Sequence, residues 1–364
     1  MSDKDTGTGS RYMQWAKTRA ASRYNLATSG VMNYTIGELG VSIDELELSG
    51  PSWYGYEPLQ ARIAAKCGVS SERVVHATGA SMANHLAMAA LVGHGDEVLI
   101  EEPTYDPLLA VARYLGAEVK RFRRRFEDQF EIDTDELKRK VSERTRLIVI
   151  TNLHNPSSAL AGEKRLRAAG EIARKVGARV LVDEVYLDLL FDEAKPSSAH
   201  LGDEFVVTGS LTKAYGLSGL RCGWVLAEPG LAKKIWRLND LFGVIPAHPA
   251  ERLSSIALDN LEKISERARL LLDRNRAMMH AFLDSREELQ AVRHPSGTTL
   301  FPRLARGSVE RLCALLREKY ETTVVPGHFF EMPDHFRIGI GCASDVLEGG
   351  LERLGAALDE LTGM

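Results

Sequence analysis

From about residue 70 to residue 230, short apolar and β-branched runs alternate with longer amphipathic ones. Val74–Ala77, Glu97–Ile100, Glu118–Phe122, Leu147–Thr151, Val180–Asp183, Phe205–Thr208 and Cys222–Ala227 read as seven strands. Between several of them lie helical patterns at Met82–Leu91, Asp106–Tyr114 and Glu163–Val176. Such alternation predicts βαβ units around a mainly parallel sheet, an α/β fold. Near-continuous apolar runs such as Leu147–Ile150 suit strands covered on both faces.

Beyond residue 248 the pattern changes. Pro249–Leu289 reads as one long helical stretch with room for one break, and Gly307–Tyr320 and Ser344–Leu361 as further helices. Thr322–Val325 and Phe336–Ile340 read as strands, so a smaller α+β unit is expected in the C-terminal third. The first forty or so residues carry little regular pattern and are expected to wrap onto that unit. The expected division is a segment 1–45, a large unit 46–248, and a linking helix with the small unit 249–364. At 364 residues, one large and one smaller core are the natural outcome.

Charge and cysteine usage narrow the function classes. Lys plus Arg is 46 against 50 for Asp plus Glu, a net charge of -4, which argues against bulk nucleic-acid binding. The run Lys120–Arg125 is read as a solvated basic face. Cys67, Cys222, Cys313 and Cys342 are scattered and suggest no disulfide framework, and the ten histidines show no metal-ligand spacing. Met1–Ser10 is polar and lacks the apolar core of a signal peptide, and no apolar run reaches membrane-spanning length. The expectation is a soluble cytoplasmic protein with no metal, membrane or nucleic-acid partner.

The chemistry concentrates where strands end, since open α/β sheets bind ligands beyond their carboxyl edges. Ser210-Leu-Thr-Lys213-Ala-Tyr-Gly-Leu-Ser-Gly-Leu-Arg221 sets a lysine between a serine and an arginine. A lysine amine can form a Schiff base with an aldehyde, and a serine hydroxyl and an arginine fork can hold a phosphate. Pyridoxal 5′-phosphate presents both groups. Ala77-Thr-Gly-Ala80-Ser81 ends a strand and opens a helix, which suits either a phosphate site or a plain serine cap. Tyr105 places an aromatic ring that either stacks on a flat heterocycle or packs a loop. Asn155-Pro156 is either an amide donor to a phenolic oxygen or a simple turn. Asp183 ends a buried strand and needs a partner, either a structural cation or a protonated pyridine nitrogen. Tyr186 suits the ring's 3-oxygen or an ordinary core. Arg337 interrupts an apolar strand and, aimed into a cleft, would grip a carboxylate.

In order and spacing this set resembles the class I/II aminotransferases among the fold-type I pyridoxal-phosphate enzymes, over roughly residues 25–360. His94-Gly-Asp-Glu-Val-Leu-Ile-Glu-Glu-Pro-Thr-Tyr105 and Val325-Pro-Gly-His-Phe-Phe330 are similar to further segments of that family. The resemblance implies a fold-type I transferase with a mainly parallel seven-stranded sheet and a smaller α+β C-terminal domain. It assigns the Schiff base to Lys213, the pyridine nitrogen to Asp183, the 3-oxygen to Asn155 and Tyr186, and ring stacking to Tyr105. It gives the phosphate to Ala80, Ser81, Ser210 and Arg221, and the substrate carboxylate to Arg337 with Asn155 and the Gly30 backbone nearby. It also implies a homodimer with shared active sites, in which Tyr54 of Trp53-Tyr54-Gly55 reaches the partner's phosphate.

Departures are visible. The family's Asn-Pro-Thr-Gly is Asn155-Pro-Ser-Ser158 here, and its usual arginine after the Gly-x-x-x-Leu signature is Gln60. His154 is read as structural. The expected reaction is transamination from an amino acid to a 2-oxo acid by way of Lys213. The alternative is a β-eliminating C–S lyase or other carbanion enzyme with the same apparatus. A cofactor-sensing regulator is the remote alternative, since about 25 residues precede the similarity and a helix-turn-helix module needs more. Leu241–Pro246 is apolar and hints at a neutral or hydrophobic substrate side chain.

Overall fold

In the computed structural model, which describes residues 9–193 and 196–363, the seven expected strands form one sheet. They are β1 (Val74–Thr78), β2 (Glu97–Glu102), β3 (Glu118–Arg123), β4 (Thr145–Thr151), β5 (Arg179–Asp183), β6 (Phe205–Ser210) and β7 (Cys222–Leu226). Their order is β1-β7-β6-β5-β4-β2-β3, and only β7 runs antiparallel to its neighbours. Side chains alternate between faces along each strand. Leu147, Val149 and Leu181 pack into one layer with helices Gly79–Leu91, Asp106–Tyr114 and Pro229–Asn239. Ile148, Ile150, Val180 and Val182 pack into the opposite layer with helices Glu57–Cys67, Glu163–Lys175 and His248–Asp259. Both faces are covered, which explains the lack of polar alternation in these strands.

The same architecture gathers polar strand ends. β1, β4, β5 and β6 terminate at one edge with Thr78, Thr151, Asp183 and Ser210. Because β7 returns antiparallel, Arg221 immediately before it arrives at that edge too, with Cys222 paired to Thr78 and Gly223 to Ser210.

Other elements depart from expectation. The long helical stretch breaks at Asn260 into His248–Asp259 and Leu261–Asp284. Thr322–Val325 is divided between two sheets: Thr322–Thr323 pairs in parallel with Tyr24–Asn25, whereas Val325–Pro326 pairs antiparallel with Phe336–Gly339. The N-terminal segment is therefore bonded directly to the C-terminal elements. It also carries a helix, Arg11–Thr18, that the periodicity did not announce. Of the polar stretch Met1–Ser10, residues 1–8 lie outside the described residues. No helix among the described residues is long and apolar enough to cross a membrane.

The basic run is not a free cationic face. Lys120 pairs with Glu97 at 2.6 Å, Arg121 with Glu331 at 2.5 Å and Arg125 with Glu136 at 2.8 Å. Arg124 is inaccessible and bonds the equally inaccessible Glu101 at 2.8 Å. A guanidinium in the interior requires such a carboxylate.

Candidate active site

Asp183 closes β5 in a buried position. Its Oδ2 accepts from Asn84 Nδ2 at 2.8 Å and its Oδ1 from the Val185 amide at 3.1 Å. Asn84 is itself fixed, because its Oδ1 accepts from Thr208 Oγ1 at 2.7 Å on the neighbouring strand. Burial pushes the Asp183 carboxyl above its ordinary range, opposed by those two hydrogen bonds and by the charge of Lys213.

Lys213 stands on the loop after β6, and its Nζ donates to Ser29 Oγ at 3.1 Å. Desolvation, with help from Arg337 and Arg221 against the pull of Asp183, lowers its amine to about 8. Gly30 runs alongside: a Cβ there would stand 3.3 Å from Lys213 Cδ, and the Val31 amide donates to the Lys213 carbonyl at 3.0 Å. The Gly30 main chain therefore lies against the lysine, as expected for a backbone element of the site.

An anion cradle forms beside it. Helix Gly79–Leu91 starts without a side-chain cap, so Ser81 is not the cap considered from sequence; Thr78 occupies that place. The open amides around Ala80 and Ser81 face an exposed Arg221 held at φ 49°. Among the described residues, Arg221 reaches only backbone carbonyls, those of Ser218 at 3.3 Å and Thr78 at 3.4 Å. Gly79 holds φ +78°, a backbone region that favours glycine, and a Cβ there would also meet Arg221 Nη2 at 2.2 Å. Ser210 completes the corner, its Oγ accepting from the Thr212 amide at 3.2 Å.

Arg337 is inaccessible. Its Nη1 donates to Asn155 Oδ1, and its Nη2 to Tyr12 OH and the Ala27 carbonyl, each at 2.9 Å. Its Nε has no partner among the described residues. Three of five guanidinium donors are thus used, none on a carboxylate. Since Asn155 accepts through Oδ1, its NH₂ remains available as a donor.

Ala80, Ser81, Asn84, Tyr105, Asn155, Asp183, Tyr186, Ser210, Lys213 and Arg221 line one cavity of about 190 Å³. A second of about 590 Å³ adjoins it through Met13, Tyr105, Thr212 and Lys213, and includes Tyr12, Ser29, Gly30 and Asn33. Lys213 thus stands at their junction. Arg337 lines neither, lying behind Asn155 and Tyr12. Two buried opposite charges, Asp183 and Arg337, flank this space without an ion-pair partner within 4 Å among the described residues. With the anion cradle, they match a phosphorylated pyridine aldehyde and an amino-acid carboxylate.

The model of the family described as aminotransferase class I and II matches residues 44–354. The chain belongs to that family. Capreomycidine synthase of Streptomyces vinaceus is 34% identical, over 96% of this chain and 91% of that protein. The structure of a pyridoxal-phosphate-dependent aminotransferase from Streptococcus suis superimposes with a TM-score of 0.91 at 27% identity, covering 99% of each chain. That of the pyridoxal-phosphate-dependent cyclase OrfR does so with 0.87 at 26% identity, covering 96% of each. This aminotransferase uses pyridoxal 5′-phosphate and moves an amino group between an amino acid and a 2-oxo acid.

Several residues of the aminotransferase lie elsewhere than its cavities. Tyr54 is 47% exposed, with its OH donating to Asp240 Oδ2 at 3.3 Å. Leu241–Pro246 forms an exposed turn that lines neither cavity of its own chain. Gln60 holds the Tyr54 carbonyl at 2.5 Å, a local brace where the family has arginine. Ser158 adopts φ 66°, where glycine is the ordinary choice, and donates to the Thr299 carbonyl at 2.8 Å. His154 is buried between Ser157 Oγ at 2.6 Å and the Pro103 carbonyl at 3.0 Å, and burial with the Arg124 charge holds it neutral. Sequence reasoning missed Asn84, Tyr12 and Ser29. Asn84 alone had a local signal, as a buried polar residue in a largely apolar helix.

Proposed function

We propose that Lys213 bears the cofactor and carries protons during transamination. The carrying observation is the position of its amine between the two cavities, with a proton affinity lowered to about 8. Ser81, Ser210, Arg221 and the amides near Ala80 hold the phosphate; Asp183 faces the pyridine nitrogen; the Asn155 amide and Tyr186 serve the 3-oxygen. Tyr105, which lines both cavities, covers the ring. Bound pyridoxal phosphate supplies an electron sink that acidifies the substrate's α-C–H bond. Arg337 and Asn155 orient the α-carboxylate beside Gly30. Tyr12 is then the group that yields, since its hydroxyl occupies the guanidinium in the free protein. Lys213 takes the α-proton and returns it one position along, acting as base and then acid near neutral pH.

We also propose a homodimer in which Tyr54 reaches the partner's phosphate. Its exposure, and its absence from the lining of either cavity of its own chain, support that reading.

A second reading keeps the same residues and changes the fate of the α-carbanion, towards β-elimination or ring closure. Its support is that two similar proteins are a capreomycidine synthase and a cyclase. Amino acids should be incubated with the holoenzyme with and without a 2-oxo acid. Transamination requires the acceptor for repeated turnover, and Lys213→Ala abolishes both turnover and the yellow absorbance of lysine-bound cofactor. Multiple turnovers without acceptor, with release of ammonia or a cyclised product, establish the second reading. Retention of activity and absorbance by the variant refutes both.

A further inference from the structure

Ser29 has no counterpart among the roles assigned above, yet it touches two of the groups that carry them. Lys213 Nζ donates to its Oγ at 3.1 Å, and the Ser29 side chain also acts on the Tyr186 phenol, favouring its ionised form against burial. The residue is buried, and it lines the larger cavity next to Gly30. Its main chain is held from the other side of the site, because Thr298 Oγ1 donates to the Ser29 carbonyl at 2.8 Å. Two residues on, Val31 N donates to the Lys213 carbonyl, and three residues on, Met32 N donates to the Gly341 carbonyl at 2.7 Å. Segment 29–32 thus ties the lysine loop to the C-terminal elements and delivers one hydroxyl to the lysine amine.

We propose that Ser29 is the positioning residue of Lys213, using one hydroxyl to hold the free amine beside Tyr186 and to set how readily that amine carries a proton. The chemistry follows from donor and acceptor capacity. A serine oxygen can accept from Nζ–H while its own proton goes to the phenolic oxygen. Accepting from an ammonium favours the charged form. The other charged groups acting on Nζ are Asp183 at the end of β5, Arg337 on strand Phe336–Gly339 and Arg221 before β7. Asp183 favours the ammonium and the two arginines oppose it, as does desolvation. Ser29 is the neutral group in direct contact, so it can be removed without altering a charge. The phenol of Tyr186 is held protonated by burial, the largest influence on it, so it serves as a steady partner to the hydroxyl.

This inference rests on Lys213 being the cofactor-bearing residue, and its test is separable from that reading. Cofactor-free full-length chain is trace-labelled with acetic anhydride across a pH series, and labelling of the Lys213 peptide is quantified by mass spectrometry. The midpoint of labelling reports the proton affinity of the amine whether or not the lysine is catalytic. Ser29→Ala is expected to move that midpoint lower by about one pH unit, the scale of one hydrogen bond to a charged group. Ser29→Thr, which keeps the hydroxyl, is expected to restore it. The pH profile of pyridoxal phosphate capture, followed by absorbance, should shift in parallel. A Ser29→Ala profile that overlays the parent overturns the proposal, as does a shift that Ser29→Thr fails to restore. Ser29→Cys covers a failure of the alanine variant to fold: its weaker acceptor should give a smaller downward shift, and no shift overturns the proposal.

Discussion

Asp183 and Lys213 hold opposite kinds of tension at the scale of single residues. The carboxylate is driven towards its neutral form by burial, and the amine is driven towards its neutral form for the same reason. A protonated pyridine nitrogen would relieve the first and an aldehyde would consume the second, so the two perturbations point at one ligand. Asp183→Asn removes the charge but keeps the size. Turnover should fall by roughly a hundred- to a thousandfold, the scale of a lost buried ion pair, while cofactor content measured by absorbance stays near the parent. Unchanged turnover would show that the ring nitrogen is not held by this carboxylate. Asp183 and Lys213 were legible because each sits where a recognisable strand ends. Ser29, Asn84 and Tyr12 were not, because their meaning depends on partners 184, 99 and 325 residues away.

Secondary-structure elements show the same division. The seven strands are short apolar runs whose burial on both faces leaves a clear trace, and the structure moved their ends by only one or two residues. Helix Gly79–Leu91 begins three residues earlier than its periodicity suggests, and its first turn carries no side-chain cap. Gly79 has φ +78° and gives up its side-chain volume to Arg221. Gly79→Ala therefore adds both backbone strain and a clash with the guanidinium. Displacing that group from a phosphate should weaken retention of pyridoxal phosphate by about ten- to a hundredfold, measured by equilibrium dialysis. Thermal stability without cofactor serves as the control for a general folding defect. Retention equal to that of the parent would remove Arg221 from the phosphate site.

The whole molecule leaves large apolar side chains in water where a single chain gives them no purpose. Ile43, Leu48, Trp53 and Leu241 are 82%, 84%, 80% and 78% exposed, and Met32, Ile36, Phe242, Val244 and Ile245 are exposed as well. They fall in two stretches, residues 32–54 and 241–245, one of which contains Tyr54. Isolated exposed apolar residues are ordinary, whereas groups of them mark association surfaces. A homodimer using both stretches would explain why Leu241–Pro246 is apolar while its own chain leaves it bare. The wild-type chain is therefore expected to sediment as a dimer. Leu241→Asp should shift it towards monomer by placing a carboxylate where an apolar contact is needed. If Tyr54 completes the partner's phosphate site, the monomeric variant should also lose cofactor, while Tyr54→Phe should remain dimeric and lose affinity by roughly tenfold for one missing hydrogen bond. A wild-type chain that sediments as a monomer with full cofactor content would refute the shared site, and would leave Arg221, Ser210 and the amides near Ala80 as the complete phosphate anchor.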